Sequence, residues 1–137
     1  MEKIKIIIDW CDRNYGASVE DDRIGGAVVA THKTHEGVLA AIEEALRFHV
    51  ETAVEDGDEL PAWLVDGEYE LCFEYSTAAI IRRSESFTTL SAISRASGIN
   101  PQQLSHYANG VKRPRSEQRE RILQGIHALG RELLAVV

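Results

Sequence analysis

Residues 90–110 read LSAISRASGINPQQLSHYANG, and their order predicts two short helices meeting at a sharp turn. Thr88 or Thr89 can cap a helix over Leu90–Ser97, and Gly98 stands where a helix ends in a left-handed residue. Asn100 can cap the next helix, with Pro101 at its first position and Gln103 two residues on, close to a capping box. Ile93 is expected to be buried, and Ser94 is small enough for a steep helix crossing. Ile99 follows the turn, and Leu104 and Tyr107 face back to the core. Two steeply crossing helices need a small residue at the contact and a glycine to turn the chain, so this is the grammar of a helix-turn-helix.

In such a unit the second helix offers its N-terminal polar residues to the major groove of DNA. Here these are Gln102, Gln103 and His106, on one side of the helix, and glutamine can pair bidentately with adenine. A plain helical hairpin with surface glutamines would give the same spacing. The basic stretch Lys112-Arg113-Pro114-Arg115 that follows favours the nucleic-acid reading.

Outward from this segment the chain changes character at Ser76. Up to Tyr75 it holds 18 acidic and 6 basic residues, a net charge of −12, and from Ser76 onward 4 acidic and 9 basic, a net charge of +5. The acidic half repels nucleic acid and attracts a basic protein, while the basic half can sit on phosphates. Two domains are therefore expected, 1–75 and 76–137. The acids Glu20, Asp21 and Asp22, and the run Asp56, Asp58 and Glu59, are the expected rim for a basic partner.

The first half reads as α+β. Ile4, Ile6 and Ile8 alternate with polar residues over Lys3–Trp10, a strand. Arg13-Asn14 is a turn, Tyr15–Val19 a second strand, and Ala27–Thr31 a third with Val28 and Val29 at its centre. Short polar connections make these an antiparallel meander. Val38, Leu39, Ile42, Ala45, Leu46, His49, Val50 and Ala53 then form one face of a long helix, capped by Thr34 and ended by Gly57. Asp58 to Pro61 is a connector, and Glu68–Tyr75 is a fourth strand.

Beyond Ser76 only helical patterns occur: Thr77–Arg83, the two helices of the turn unit, and a last helix from Ser116 to Val137, with a break at Gly130 as one reading. That helix carries Ile122, Ile126, Leu129 and Leu133 on one stripe and Leu123, Leu134 and Val137 beside it. A helix apolar on so much of its girth buries two surfaces. One closes the domain core. The other is expected to meet a second copy, with Ile126, Leu129, Leu133 and Leu134 as the dimerisation residues, because paired recognition helices need two-fold symmetry.

With 44% hydrophobic and 27% charged residues the chain is of globular composition, and no apolar run nears the roughly 20 residues of a spanning helix. Met1 to Trp10 shows no secretory pattern, so a cytoplasmic protein is expected. Cys11 and Cys72 are in no metal spacing and read as reduced thiols.

Asn100 to Gly110, with Val111 to Arg115 after it, resembles the recognition helix and following basic segment of the Cro and lambda-repressor class. That resemblance implies base-reading positions at Gln102 and His106, with Pro101 and Gln103 beside them. It implies phosphate contacts at Lys112, Arg113 and Arg115, and at the terminal Asn109. Leu90 stands where the class often has a polar, phosphate-binding residue, and Thr88, Thr89 or Ser91 takes that part instead. The chain as a whole resembles HicB-type antitoxins. Glu43–Glu51, Glu55–Pro61 and Glu68–Leu71 have that family's cadence, which continues through the helix-turn-helix to Glu132-Leu133-Leu134. Before the long helix the family often has a Pro-rich, Gly-Cys segment, and Gly25-Gly26-Ala27-Val28-Val29 stands here instead. The resemblance implies a truncated RNase H-like domain, ordered β-β-β-α-β, joined to a DNA-binding domain. It also implies a small basic HicA-type ribonuclease as partner, repression of the pair's own operon at a double-stranded operator, and no catalytic activity or cofactor.

Two other classes make different demands on the sequence. A metal-dependent, RNase H-like nuclease needs converging carboxylates, for which Asp9, Glu44 and Glu70 are the available acids, in no signature spacing. A repressor that senses a small ligand needs a cradle for it, and Gly25-Gly26 is no Gly-rich loop of a known type. His32, His35 and Glu36 offer three zinc-capable side chains with no fourth at zinc spacing.

Overall fold

A computed structural model describes all of residues 1–137, and the chain divides into two compact units, Met1–Ser76 and Thr77–Val137. In the first, the isoleucine alternation builds strand β1 (Glu2–Cys11), with Ile4, Ile6 and Ile8 fully buried on one face of the sheet. β2 (Asn14–Val19) pairs antiparallel with β1, from Ile6 opposite Val19 to Cys11 opposite Asn14. The turn is Asp12-Arg13, one residue earlier than expected. Both residues have positive φ (51° and 68°), the conformation that a tight two-residue hairpin requires.

β3 is Val29–His32, antiparallel to β2. It begins two residues later than the sequence implied, because the chain first makes a 3-10 turn over Asp22–Ile24 and crosses Gly25-Gly26 with positive φ. Val28 is buried, but Val29 points away from the core. Helix α1 (His35–Glu55) starts where Thr34 Oγ1 accepts from the Gly37 N–H at 3.0 Å. It buries Val38, Ile42, Leu46, Val50 and Ala53, the periodic face. Its end is a Schellman closure: Gly57 at φ 80°, with the Asp58 N–H on the Ala53 carbonyl and the Gly57 N–H on that of Val54. A one-turn helix α2 (Ala62–Val65), too short to show a period, lies in the expected connector and buries Leu64. β4 (Tyr69–Tyr75) then pairs parallel with β1, giving the order β3-β2-β1-β4. The unit is α+β, with β3 and β4 as its edges.

The second unit is all helical: α3 (Thr77–Ser84), α4 (Leu90–Ser97), α5 (Pro101–Ala108) and α6 (Ser116–Leu134). Its core is Ile81, Ile93, Ile99, Leu104, Tyr107, Ala108 and Ile122. Helix α6 runs unbroken through Gly130 and ends at Leu134, short of Val137. It is close to α4 because Gly125 has no side chain: a Cβ there would stand 2.8 Å from the Ser97 nitrogen. Ile126 and Leu129, expected at a dimer interface, pack partly buried against this unit's own core. Leu133 and Leu134 remain 60% and 87% exposed, so the unpartnered apolar surface is at the end of the helix. No helix is long and apolar enough to cross a membrane.

Candidate nucleic-acid interface

The site in the second unit is made by the turn between α4 and α5. Gly98 takes φ 71°, and its N–H closes α4 on the Ser94 carbonyl. Ser94 Oγ donates to the Ile99 carbonyl at 2.5 Å, which fixes the turn from inside and lets Ile99 bury. Asn100 Oδ1 then accepts from the N–H groups of Gln102 (2.8 Å) and Gln103 (3.4 Å), with Pro101 at the first helical position. Leu104, Tyr107 and Ala108 are buried, so the opposite side of α5 faces out.

That outer side presents Pro101 and Gln102 exposed and His106 half-buried. Gln103 is held within its own helix. Its amide donates to the Tyr107 hydroxyl at 2.7 Å, so the side chain is held along the helix. Gln102, Gln103 and His106 line one open groove with Lys112, and no carboxylate lines it. Gln118 and Arg121 of α6 line the same groove and were missed in the sequence. Arg121 Nη2 donates to the carbonyls of Gly98 (3.0 Å) and Ser97 (3.3 Å), and its Nη1 to Gln118 Oε1 (3.0 Å). The signal was Gly98 itself: a left-handed helix end exposes carbonyls that want a donor, and a basic helix follows.

The expected phosphate-contacting residues fall in three places. Thr89 is the N-cap of α4, accepting from the Ala92 N–H at 3.1 Å, with Ser91 exposed beside it. Lys112, Arg113 and Arg115 are exposed on the segment between α5 and α6. Asn109 is engaged within the unit: its amide donates to the Ser105 carbonyl at 2.9 Å, and its Oδ1 accepts from Arg82 Nη2. Arg82 also donates from Nε to the Ala108 carbonyl at 3.1 Å, which caps the C-terminus of α5 with a cation. Asn109 thus anchors the end of α5 while remaining exposed.

In the first unit the acidic residues separate into two sets. Asp21 accepts from Arg23 at its backbone N–H (3.0 Å), Nε (2.9 Å) and Nη2 (2.8 Å), and Arg23 also pairs with Glu2 at 2.8 Å. The guanidinium hydrogen bonds hold the Asp21 carboxyl below its ordinary range and push the Arg23 pKa up. The guanidinium lies 4.6 Å over the Trp63 ring. Asp21 is therefore paired within the unit, on Arg23. Glu20 is exposed apart from a long contact with Ser18 Oγ, and Asp22 is exposed. Asp56, Asp58 and Glu59 are exposed after α1, and Asp56 and Asp58 border an apolar cleft with Val29 and Phe48.

No three histidine, cysteine or carboxylate side chains converge as a metal site would need. Asp9 Oδ1 accepts from Ser76 Oγ at 2.6 Å and from the Trp10 N–H at 2.8 Å, and Glu70 pairs with Lys3 at 3.8 Å. His32 Nδ1 accepts from the Thr34 N–H at 3.0 Å, while His35 Nε2 lies 2.6 Å from the Tyr75 hydroxyl. His49 Nε2 donates to the Ile24 carbonyl at 2.8 Å, as a satisfied half-buried histidine does. No protein-family model matches this chain, and no curated protein or solved structure matches it.

Proposed function

We propose that this chain is a HicB-like antitoxin and transcriptional autorepressor: a non-enzymatic, cytoplasmic, two-domain protein. Thr77–Val137 binds operator DNA as a homodimer, and Met1–Ser76 binds and neutralises a small basic HicA-like ribonuclease. The observation that carries the reading is the α4–turn–α5 arrangement. A fixed three-residue turn, Gly98 to Asn100, sets an eight-residue helix with its inner side buried and Gln102 and His106 outward over a groove free of carboxylates. A helix so held can enter a major groove, with Lys112, Arg113, Arg115 and the start of α4 near the flanking phosphates.

The charge division supports the second half of the reading. A unit of −12 has no business on DNA, and steering by opposite charge suits a basic protein partner. The element order β-β-β-α-β, with β4 parallel to β1, supports the truncated RNase H-like assignment.

The test has two arms. The purified chain is titrated onto duplex DNA from upstream of its own gene and onto a scrambled duplex. The small open reading frame beside the gene is induced with and without this chain, and growth is measured. Selective binding to the upstream duplex and rescue of growth are expected. Equal binding to both duplexes overturns the repressor half, and failure to rescue overturns the antitoxin half.

A further inference from the structure

The first unit carries a surface that its own fold leaves uncovered. β3 is an edge strand, and an apolar cleft runs between its start and the second half of α1. Ala27, Val29, Ala45, Phe48 and Thr52 line it, and Asp56 and Asp58 border one end. Phe48 and Val29 are each 69% exposed, and both line this one cleft. The Val28 carbonyl accepts from the Val19 N–H at 3.0 Å, on the β2 side. By the alternation of an antiparallel ladder, the backbone groups of Val29 and Thr31 therefore point to the open edge. An edge with open backbone groups is a template for an added strand.

The charges around the cleft choose the occupant. Glu44 and Glu51 lie one turn before and one turn after Phe48 on the same helix and are exposed. With Asp56 and Asp58 they frame the cleft in negative charge, and no lysine or arginine lines it. A second copy of a unit carrying −12 would bring like charges together, so self-association here is opposed.

We propose that this cleft seats an extended Lys- and Arg-rich segment of a partner protein, added as a fifth strand along β3. Apolar side chains of the segment lie against Phe48 and Val29, and its cations meet Glu44, Glu51, Asp56 and Asp58. This inference rests on the reading of the first unit as the basic partner's binding domain, and it names the surface. The second acidic set, around Arg23, is not part of it.

The probe is a short fluorescein-labelled peptide alternating valine or leucine with lysine, titrated onto the full-length chain at physiological salt and followed by anisotropy. Two control peptides replace the lysines by glutamate or the apolar residues by serine. The wild-type chain is expected to bind the first peptide, and each control at least about tenfold more weakly. Phe48→Asp, and separately Asp56→Lys with Asp58→Lys, should each weaken binding by at least about tenfold. Phe48→Ser guards against a helix effect of the new charge, and circular dichroism shows that each variant is folded. Glu20→Lys with Asp22→Lys should change affinity by less than about twofold. Affinity indifferent to both Phe48 variants overturns the proposal, as does equal binding of the serine peptide. A Phe48→Asp protein that loses a dimer and keeps the peptide also overturns it, in favour of a self-interface. The growth assay separates this from the broader reading: rescue by both wild type and Phe48→Asp sinks the cleft and leaves the antitoxin function standing.

Discussion

Gly125 and Gly130 lie in the same helix, one turn and a residue apart, and replacing each by alanine should move stability in opposite directions. Alanine is better than glycine in a helix interior by about 0.8–1 kcal/mol, and that gain is common to both sites. At Gly130 nothing lies within 4 Å of the new Cβ, so the gain is kept. At Gly125 the Cβ would meet the Ser97 nitrogen at 2.8 Å and its Cα and Cβ at 2.9 Å. Carbon contacts are comfortable only at about 3.5–4.0 Å. The obstacle is largely α4 backbone, so the end of α4 has to retreat by most of an ångström. Such overpacking costs about 1–3 kcal/mol. The propensity gain cancels between the two variants, and the difference between them is the overpacking alone, about 1–3 kcal/mol. At roughly 4–8 °C per kcal/mol for a unit of this size, Gly130→Ala should melt at least about 4 °C above Gly125→Ala. Thermal melting of the full chain at 222 nm measures this. Trp10 and Trp63 are both in the first unit, so their fluorescence identifies its transition separately. The displaced segment includes Ser97 and Gly98, whose carbonyls Arg121 holds, so Gly125→Ala should also weaken operator binding at temperatures where it is still folded. Equal melting of the two variants, or a Gly125→Ala protein more stable than wild type, would refute the packing argument.

Gln102→Ala should cost roughly 1–3 kcal/mol on the operator and little on scrambled DNA, with its salt slope unchanged. Arg113→Ala should weaken both duplexes alike and reduce the log–log salt slope by about one; anisotropy at several salt concentrations distinguishes them. Leu133→Asp and Leu134→Asp should leave the fold intact, because both side chains are exposed, and turn a dimer into monomers by light scattering; a mutant that stays dimeric rules out this interface. The Asp21 carboxyl is depressed by its hydrogen bonds to Arg23, so its contribution is present above the ordinary aspartate range and is lost as pH falls through the lower folded value; Asp21→Asn should flatten the acid limb of a pH–stability curve while changing it little below that value. The Cys11 thiol is pushed up mainly by the charge of Asp12, so alkylation with iodoacetamide should need a higher pH than for an ordinary thiol, and Asp12→Asn should bring it down.

The elements that the sequence made legible are those whose local physics is self-sufficient. The Ile4, Ile6 and Ile8 alternation, the 3.6-residue face of α1, the Thr34, Thr89 and Asn100 caps and the left-handed Gly98 each name their structure with no long-range information. The misplacements have local causes too. The hairpin turn moved to Asp12-Arg13 because non-glycine residues took positive φ, which sequence preference argues against. Helix α2 is a single turn and has no period to read. Gly130 did not break α6, because one glycine costs about 1 kcal/mol in a helix that is otherwise well packed.

The site divides along the same line. Which side of α5 faces outward follows from Leu104 and Tyr107 alone, so the position of Gln102 and His106 was readable before any contact was known. Which neighbouring side chains engage one another was less readable, because most of those pairings join residues distant in sequence. Gln103 and Tyr107 share one helix face at i, i+4, and the hydrogen bond between them braces α5. Asn109 is claimed by Arg82 from α3, and the turn is held by Arg121 from α6, 23 residues away. Phe48 gives the converse case. It falls one position outside the buried stripe of α1, where an aromatic residue satisfies no need of the domain's own core. In the sequence it is one more apolar residue in a helix. Only once Val29 of the edge strand is known to line the same cleft, with Asp56 and Asp58 at its border, does its exposure argue for a partner.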